Sequence, residues 1–298
     1  MSELLVIGES LVDVVPDFTG RERITPGGSP LNVAVGAARL EVATRLHTQI
    51  GDDRFGARIR QHLARNHVHV TSGSHSERPT SIAHAELDES GSARYRFALS
   101  WDPSEPGGVV DRELVHVGSI GALLDPGADV VHRFLAALDP NVLVTFDPNI
   151  RPALLEDMGA ARARVDGLAE RAGIVKASDE DIALLGFGSA DEAAARWLGL
   201  GAAVVFVTAG DRGATAWTRG GEVRRPGLSV DVADTIGAGD SFMSAVIAAL
   251  IRRGIRSRAD LAATDDETVE AALAYALRAS AITVGRHGAD PPRRAELD

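Results

Sequence analysis

Asp234-Thr235-Ile236-Gly237-Ala238-Gly239-Asp240-Ser241-Phe242 stands between a strand-like run and a long apolar segment, and its reading decides the rest of the chain. Leu228 to Val232 alternates apolar with polar residues, the pattern of a half-buried strand. Phe242 to Ile251 is almost wholly apolar or small, the pattern of a buried helix. The loop therefore delivers Gly237, Ala238 and Gly239 to a helix N-terminus. There the first-turn amides lack intrahelical partners, the macrodipole is positive, and glycine lets a phosphate approach the backbone. Asp240 stands beside that anion site, where a carboxylate can accept a hydroxyl proton while the amides hold a transferring phosphoryl group. On local grounds a second reading stays open, because Asp is a favoured N-cap and Gly-rich turns precede many helices.

The whole chain narrows the choice. At 298 residues, 45% hydrophobic and 24% charged, it has the composition of an ordinary globular protein, read as one large domain over 1–298 with a small appendage. A net charge of −11 and the lack of any basic run argue against nucleic acid as a partner. An anionic ligand must then be held locally, by helix N-termini, a few arginines and a bound cation. Lys176 is the single lysine. With no cysteine, disulfides, thiolate metal sites and cysteine nucleophiles are excluded together. The chain opens on the strand signal Leu4-Leu5-Val6-Ile7 without a signal-peptide pattern, and no apolar run approaches the roughly 20 residues that span a bilayer. A cytoplasmic location is the expectation. The nine histidines show no metal-ligand spacing, and those from His62 to His75 read as surface helix and turn.

Strand and helix patterns alternate along the sequence. Strands are expected at Leu4 to Ile7, Leu114 to Val117, Val142 to Phe146, Ile174 to Lys176 and Val204 to Thr208. Helices are expected at Leu31 to Leu40, Phe55 to Arg65, Asp129 to Leu138, Ala160 to Arg171, Asp191 to Leu198, Phe242 to Arg253 and Asp266 to Val284. This predicts an α/β fold whose mostly parallel sheet binds ligands at the carboxyl ends of its strands. Two stretches interrupt the alternation, roughly 12–25 and 80–100, the second with the turn Asp88-Glu89-Ser90-Gly91. They read as a small β-flap. The closing Pro291-Pro292-Arg293-Arg294 reads as a tail.

A second glycine junction, Pro26-Gly27-Gly28-Ser29-Pro30-Leu31-Asn32, also runs into a helix. Asn32 projects from its first turn with a donor and an acceptor, which suits a polyhydroxylated ligand. Asp13, after the first strand, takes two sugar hydroxyls or caps a turn.

With Gly51-Asp52-Asp53-Arg54-Phe55-Gly56 between them, the two glycine segments resemble the ribokinase-like, or PfkB, family of ATP-dependent carbohydrate kinases, in the family's order and over most of the chain. The resemblance implies a three-layer α/β/α sandwich with a small β-sheet lid. It implies Asp240 as catalytic base and Gly237, Ala238 and Gly239 as the anion hole for the γ-phosphate. Asp13, Gly27, Gly28 and Asn32 are then sugar-binding positions, and the flap is a lid that excludes water as a competing nucleophile. Thr208, Gly210 and Gly213 resemble the family's nucleotide loop. ATP and Mg2+ are the implied cofactors, and Asp234 with the Ile236 carbonyl resembles a monovalent-cation site, K+ in some members. A homodimer through the lid is expected as well, with no membrane partner.

Phe146-Asp147-Pro148-Asn149-Ile150-Arg151-Pro152 and Gly288-Ala289-Asp290-Pro291-Pro292 resemble the fructokinase and 2-keto-3-deoxygluconate kinase branch. Lys176 and Ser178 resemble its nucleotide-facing segment, and Arg151 contacts substrate or phosphates or forms a structural ion pair. Two positions depart from the family. Ser178-Asp179-Glu180-Asp181 replaces Asn-x-x-Glu, so Asp181 meets the metal site one methylene short, and Leu277 replaces an Asn beside the adenine, which loosens nucleotide preference. The expectation is a fructokinase that phosphorylates a primary hydroxyl. A 2-keto-3-deoxygluconate kinase is the leading alternative, with Arg96 and Arg151 on the carboxylate; ribokinase, nucleoside kinase and a non-catalytic sugar sensor follow. A dinucleotide oxidoreductase is excluded because Gly8-Glu9-Ser10-Leu11-Val12-Asp13 lacks Gly-x-Gly-x-x-Gly.

Overall fold

The computed structural model describes residues 3–16, 22–87, 93–110 and 113–298. β1 (Leu4–Ile7), β2 (Leu11–Pro16) and β3 (Glu22–Gly27) precede α1 (Ser29–Arg39), and β4 (Thr44–His47) and β5 (Ile50–Gly51) precede α2 (Arg54–Arg65). β6 (His69–Val70), β7 (His75–Ser76), β8 (Ser81–Leu87), β9 (Ala93–Ala98) and β10 (Leu114–Gly118) lead to α3 (Ser119–Leu123) and α4 (Gly127–Ala137). β11 (Val144–Asp147) is followed by α5 (Met158–Arg171), and β12 (Ile174–Ser178) by α6 (Asp179–Leu184) and α7 (Ala190–Leu200). β13 (Val204–Thr208), β14 (Ala214–Trp217) and β15 (Glu222–Arg225) precede α8 (Ala238–Arg252), α9 (Arg258–Ala262) and α10 (Asp266–Val284).

One sheet takes the order β15-β14-β13-β12-β11-β10-β1-β4-β6. Every pairing from β13 to β6 is parallel, and β14 and β15 add an antiparallel edge. Its central strands are apolar runs such as Leu4-Leu5-Val6-Ile7, buried throughout because helices cover both faces. Leu31, Ile59, Phe242 and Leu273 pack on one face, from α1, α2, α8 and α10. Phe134, Leu168 and Trp197 pack on the other, from α4, α5 and α7, which completes three layers.

The flap is a separate sheet in the order β3-β2-β8-β9, with β2 and β8 parallel and the other pairs antiparallel. The Asp88 to Gly91 turn lies outside the described residues. Among the described residues no helix is long and apolar enough to cross a membrane.

Two expectations fail. Leu228 to Val232 forms no strand; it is irregular chain between β15 and α8, with Leu228 49% and Val232 67% exposed. It pairs with no strand of any sheet, although β15 leaves an edge open. The C-terminal segment is no loose tail: Pro291, Pro292 and Leu297 are buried, and Arg39 donates to the Pro291 carbonyl at 2.6 Å.

Candidate active site

Ridges of the fold bring the two glycine junctions together. Gly28 is the N-cap of α1 at φ 108°, and a Cβ there would stand 2.8 Å from the Glu9 carbonyl, so only glycine lets α1 start against the end of β1. Gly237 is the N-cap of α8 at φ 77°, with Ala289 where a Cβ would go, and no side chain caps the helix. The Ala238 amide turns back to the Thr235 carbonyl at 3.3 Å.

Asp240 lies in the first turn of α8, and it is not the cap. Its Oδ1 accepts from Ser29 Oγ at 2.6 Å and its Oδ2 from Asn32 Nδ2 at 2.8 Å, both across from α1. Both oxygens are thus oriented by residues more than two hundred positions away in sequence. Ser29 was not among the expected site residues; nothing local marks it, because its partner is distant.

Behind this turn lies a polar stripe on β10, β11 and β12. Lys176 Nζ donates to Asp147 Oδ2 at 2.8 Å in a fully buried pair. Burial alone would lower the Lys176 pKa, but Asp147, Asp181 and Asp240 outweigh it and hold the ammonium above the usual lysine value. His116, next in the stripe, is pushed down to about 3 by burial and by Lys176, so it is neutral. Asp147 has no local mark in the sequence either; in its segment only Arg151 carries an expected role.

Around Asp13 the setting differs. This carboxylate, on β2, has no hydrogen-bond partner among the described residues, and burial lifts its pKa to about 6. Gly27 backs directly onto it: a Cβ there would meet Asp13 Oδ2 at 2.3 Å. A third acid, Glu9, follows β1; it accepts from the Gly121 amide at 2.7 Å and from Ser119, and burial raises it to about 7.

The remaining expected residues fall in several places. Asp181 is buried as the partner in a capping box, taking Ser178 N at 2.8 Å and Ser178 Oγ at 2.6 Å on one oxygen and Ile150 N at 2.7 Å on the other. Asp234 takes the Ile236 amide at 3.0 Å and the Gly288 amide at 2.9 Å, and so shapes the loop before α8. Thr208 pairs in register with Ser178, and Gly210 and Gly213 lie in the connection from β13 to β14. Leu277 lines a groove of about 750 Å³ with Arg225, Leu228 and Tyr275. Arg151 is exposed and donates to its neighbour's carbonyl, and Arg96 is exposed on β9 of the flap. Among the described residues no group of three or more His, Cys, Asp or Glu side chains is placed to hold a metal.

An uncapped helix N-terminus, a carboxylate fixed at its rim and a buried ammonium behind it form a site for transferring an anionic group to a hydroxyl, on a parallel α/β scaffold with a flap. The chain belongs to the pfkB family of carbohydrate kinases, whose model matches residues 1–295. It is 30% identical to a fructokinase from Rhizobium leguminosarum bv. trifolii, over 98% of this chain and 88% of that one. Among solved structures it resembles a fructokinase from Vibrio cholerae O395 in a form bound to fructose, ADP and calcium ion, with a TM-score of 0.85, 26% identity and coverage of 100% and 98%. A ribokinase from Thermotoga maritima shares the fold, with a TM-score of 0.74 at 22% identity over 100% and 98% of the two chains.

Proposed function

We propose that this carbohydrate kinase transfers the γ-phosphoryl group of ATP to a primary hydroxyl of fructose. The observation that carries the reading is Asp240, whose carboxylate is held by Ser29 and Asn32 at the start of α8. In the proposed step the acceptor oxygen attacks the γ-phosphorus in line, ADP leaves, and the acceptor proton passes to Asp240. A loose transition state needs the proton removed only late, so an oriented carboxylate suffices. Gly237, Ala238 and Gly239 form the anion hole, and Asp13, Gly27, Gly28 and Asn32 face the sugar. Thr208, Gly210, Gly213, Ser178 and Leu277 make up the nucleotide side.

Neutral sugar is favoured over sugar acid by the acids that surround the acceptor position. Asp240 raises the pKa of Glu9, so these two carboxylates repel, and a substrate carboxylate beside them would add to that repulsion. Among the described residues no side-chain cage for Mg2+ is built, and both oxygens of Asp181 are engaged by backbone and Ser178. A hydrated divalent ion carried on the nucleotide phosphates fits this better. A monovalent cation near α8 would draw on the Ile236 carbonyl and the free lone pairs of Asp234.

A coupled ADP-release assay with fructose, ribose, tagatose, 2-keto-3-deoxygluconate and nucleosides tests the reading. Fructose should give the highest kcat/KM. A higher value for the sugar acid would move the protein to the other branch, and sugar-independent inactivity throughout would leave a sensor.

A further inference from the structure

Nothing in the steps above uses the ion pair behind α8. Lys176 and Asp147 are 4% and 1% exposed, and a buried ion pair is commonly no better for stability than an apolar pair of the same volume. This one is also incompletely satisfied, because Asp147 Oδ1 is a buried acceptor with no partner among the described residues. Its location is informative. A Cβ on Gly239 would stand 2.8 Å from Lys176 Nζ, so the bare glycine brings the ammonium against the first turn of α8, one residue from Asp240.

We infer that Lys176 is a catalytic cation of the transfer step, donating from its ammonium to an oxygen of the moving phosphoryl group, and that Asp147 is the positioning residue that holds it there. The inference rests on the kinase reading. As the bond from the γ-phosphorus to the bridging oxygen breaks, its electron pair leaves with ADP; the acceptor oxygen forms the new bond and its proton goes to Asp240. Lys176 keeps its own protons throughout. Charge spread over the equatorial oxygens of the loose transition state then meets a fixed ammonium in a site poor in water, where such a contact is strongest. The groups facing Lys176 are Asp147 from β11, Asp181 from α6, Asp240 from α8 and His116 from β10; three are carboxylates that keep it charged.

Lys176→Met alone would strand Asp147 as an unpaired buried carboxylate and endanger the fold. The double variant D147N/K176M removes both charges with little change of volume. It should fold and keep the KM for sugar, yet lose on the order of a hundredfold in kcat, the range for one lost transition-state donor. By calorimetry it should also lose the extra affinity that ADP with tetrafluoroaluminate, a mimic of the moving phosphoryl group, has over ADP alone. Asp147→Asn alone should shift the alkaline limb of kcat to lower pH, because burial then dominates the Lys176 ammonium. A double variant with wild-type kcat, or an unmoved alkaline limb in Asp147→Asn should the double variant unfold, overturns the inference. Wild-type protein that releases no ADP with any sugar refutes the kinase reading itself.

Discussion

Asp240 and Asp13, both assigned to the proposed active site, have opposite surroundings. Asp240 has both oxygens occupied by α1 side chains before any ligand arrives, whereas Asp13 has no partner among the described residues and a pKa raised to about 6. The difference separates two tasks. The phosphoryl end is preorganised by packed helices and the central sheet, so it spends nothing on reorganisation during the reaction. In the proposed reading the acceptor end, carried on the flap, leaves its hydrogen-bonding capacity for the sugar, whose hydroxyls would supply the missing partners. A bare, half-buried carboxylate of this kind disfavours ligands that cannot satisfy it.

Breaking the preorganised end should have the largest effect. Asp240→Ala is expected to lower kcat by about a hundred- to ten-thousand-fold, the range of a lost general base, in steady-state ADP release. Glu9, buried after β1 with Asp240 nearby, holds its proton more tightly than an ordinary glutamate, chiefly because of burial. Its folded pKa of about 7 lies above the ordinary glutamate value of 4.5, so its contribution to stability is present at acid pH and is lost as pH rises from 4.5 through about 7. The loss amounts to about 3 kcal/mol. Glu9→Gln should therefore gain on the wild type as pH rises from 4.5 to 8, read as the difference of urea unfolding midpoints; a constant difference across that window would contradict the burial argument. His116 titrates with the opposite sign but cancels in the difference.

At the acceptor end, Asp13→Asn should raise the sugar KM by about ten- to a hundredfold, as expected for a pocket group that takes substrate hydroxyls, with kcat at saturation kept. Since only ionised Asp13 accepts two hydroxyls, kcat/KM for sugar should fall as pH drops through about 6 in the wild type, and that limb should vanish in the variant. The smallest effect is expected for Ser29→Ala, which leaves Asn32 on Asp240. A loss in kcat of about tenfold, the worth of one charge-assisted hydrogen bond, with unchanged sugar KM would show Ser29 orienting the base.

What the sequence made legible was local chemistry. Both glycine junctions could be read because glycine before an apolar helix is a backbone requirement written in adjacent residues, and β1, β13 and α10 follow from their own periodicity. Contacts across the fold were not legible. Ser29 on Asp240, Asp147 on Lys176 and Glu9 on Gly121 join residues far apart in sequence. An acid directly after a buried strand, as Glu9 is after Leu4-Leu5-Val6-Ile7, was the one available hint. Leu228 to Val232 shows the converse: alternation alone does not make a strand, and this segment joins none of the sheets. Asp181 shows how a motif position can be consumed locally, since Ser178 three residues earlier turns it into a capping box.

The division of labour is tested most directly by measuring sugar affinity and saturated turnover side by side in Asp240→Ala and Asp13→Asn, by calorimetry and coupled ADP release. The account predicts a crossed result: Asp240→Ala binds fructose almost as the wild type does and hardly turns over, while Asp13→Asn binds poorly and turns over at nearly the wild-type rate once saturated. Asp240→Ala turning over near the wild-type rate, or both variants losing affinity and turnover in parallel, would contradict it.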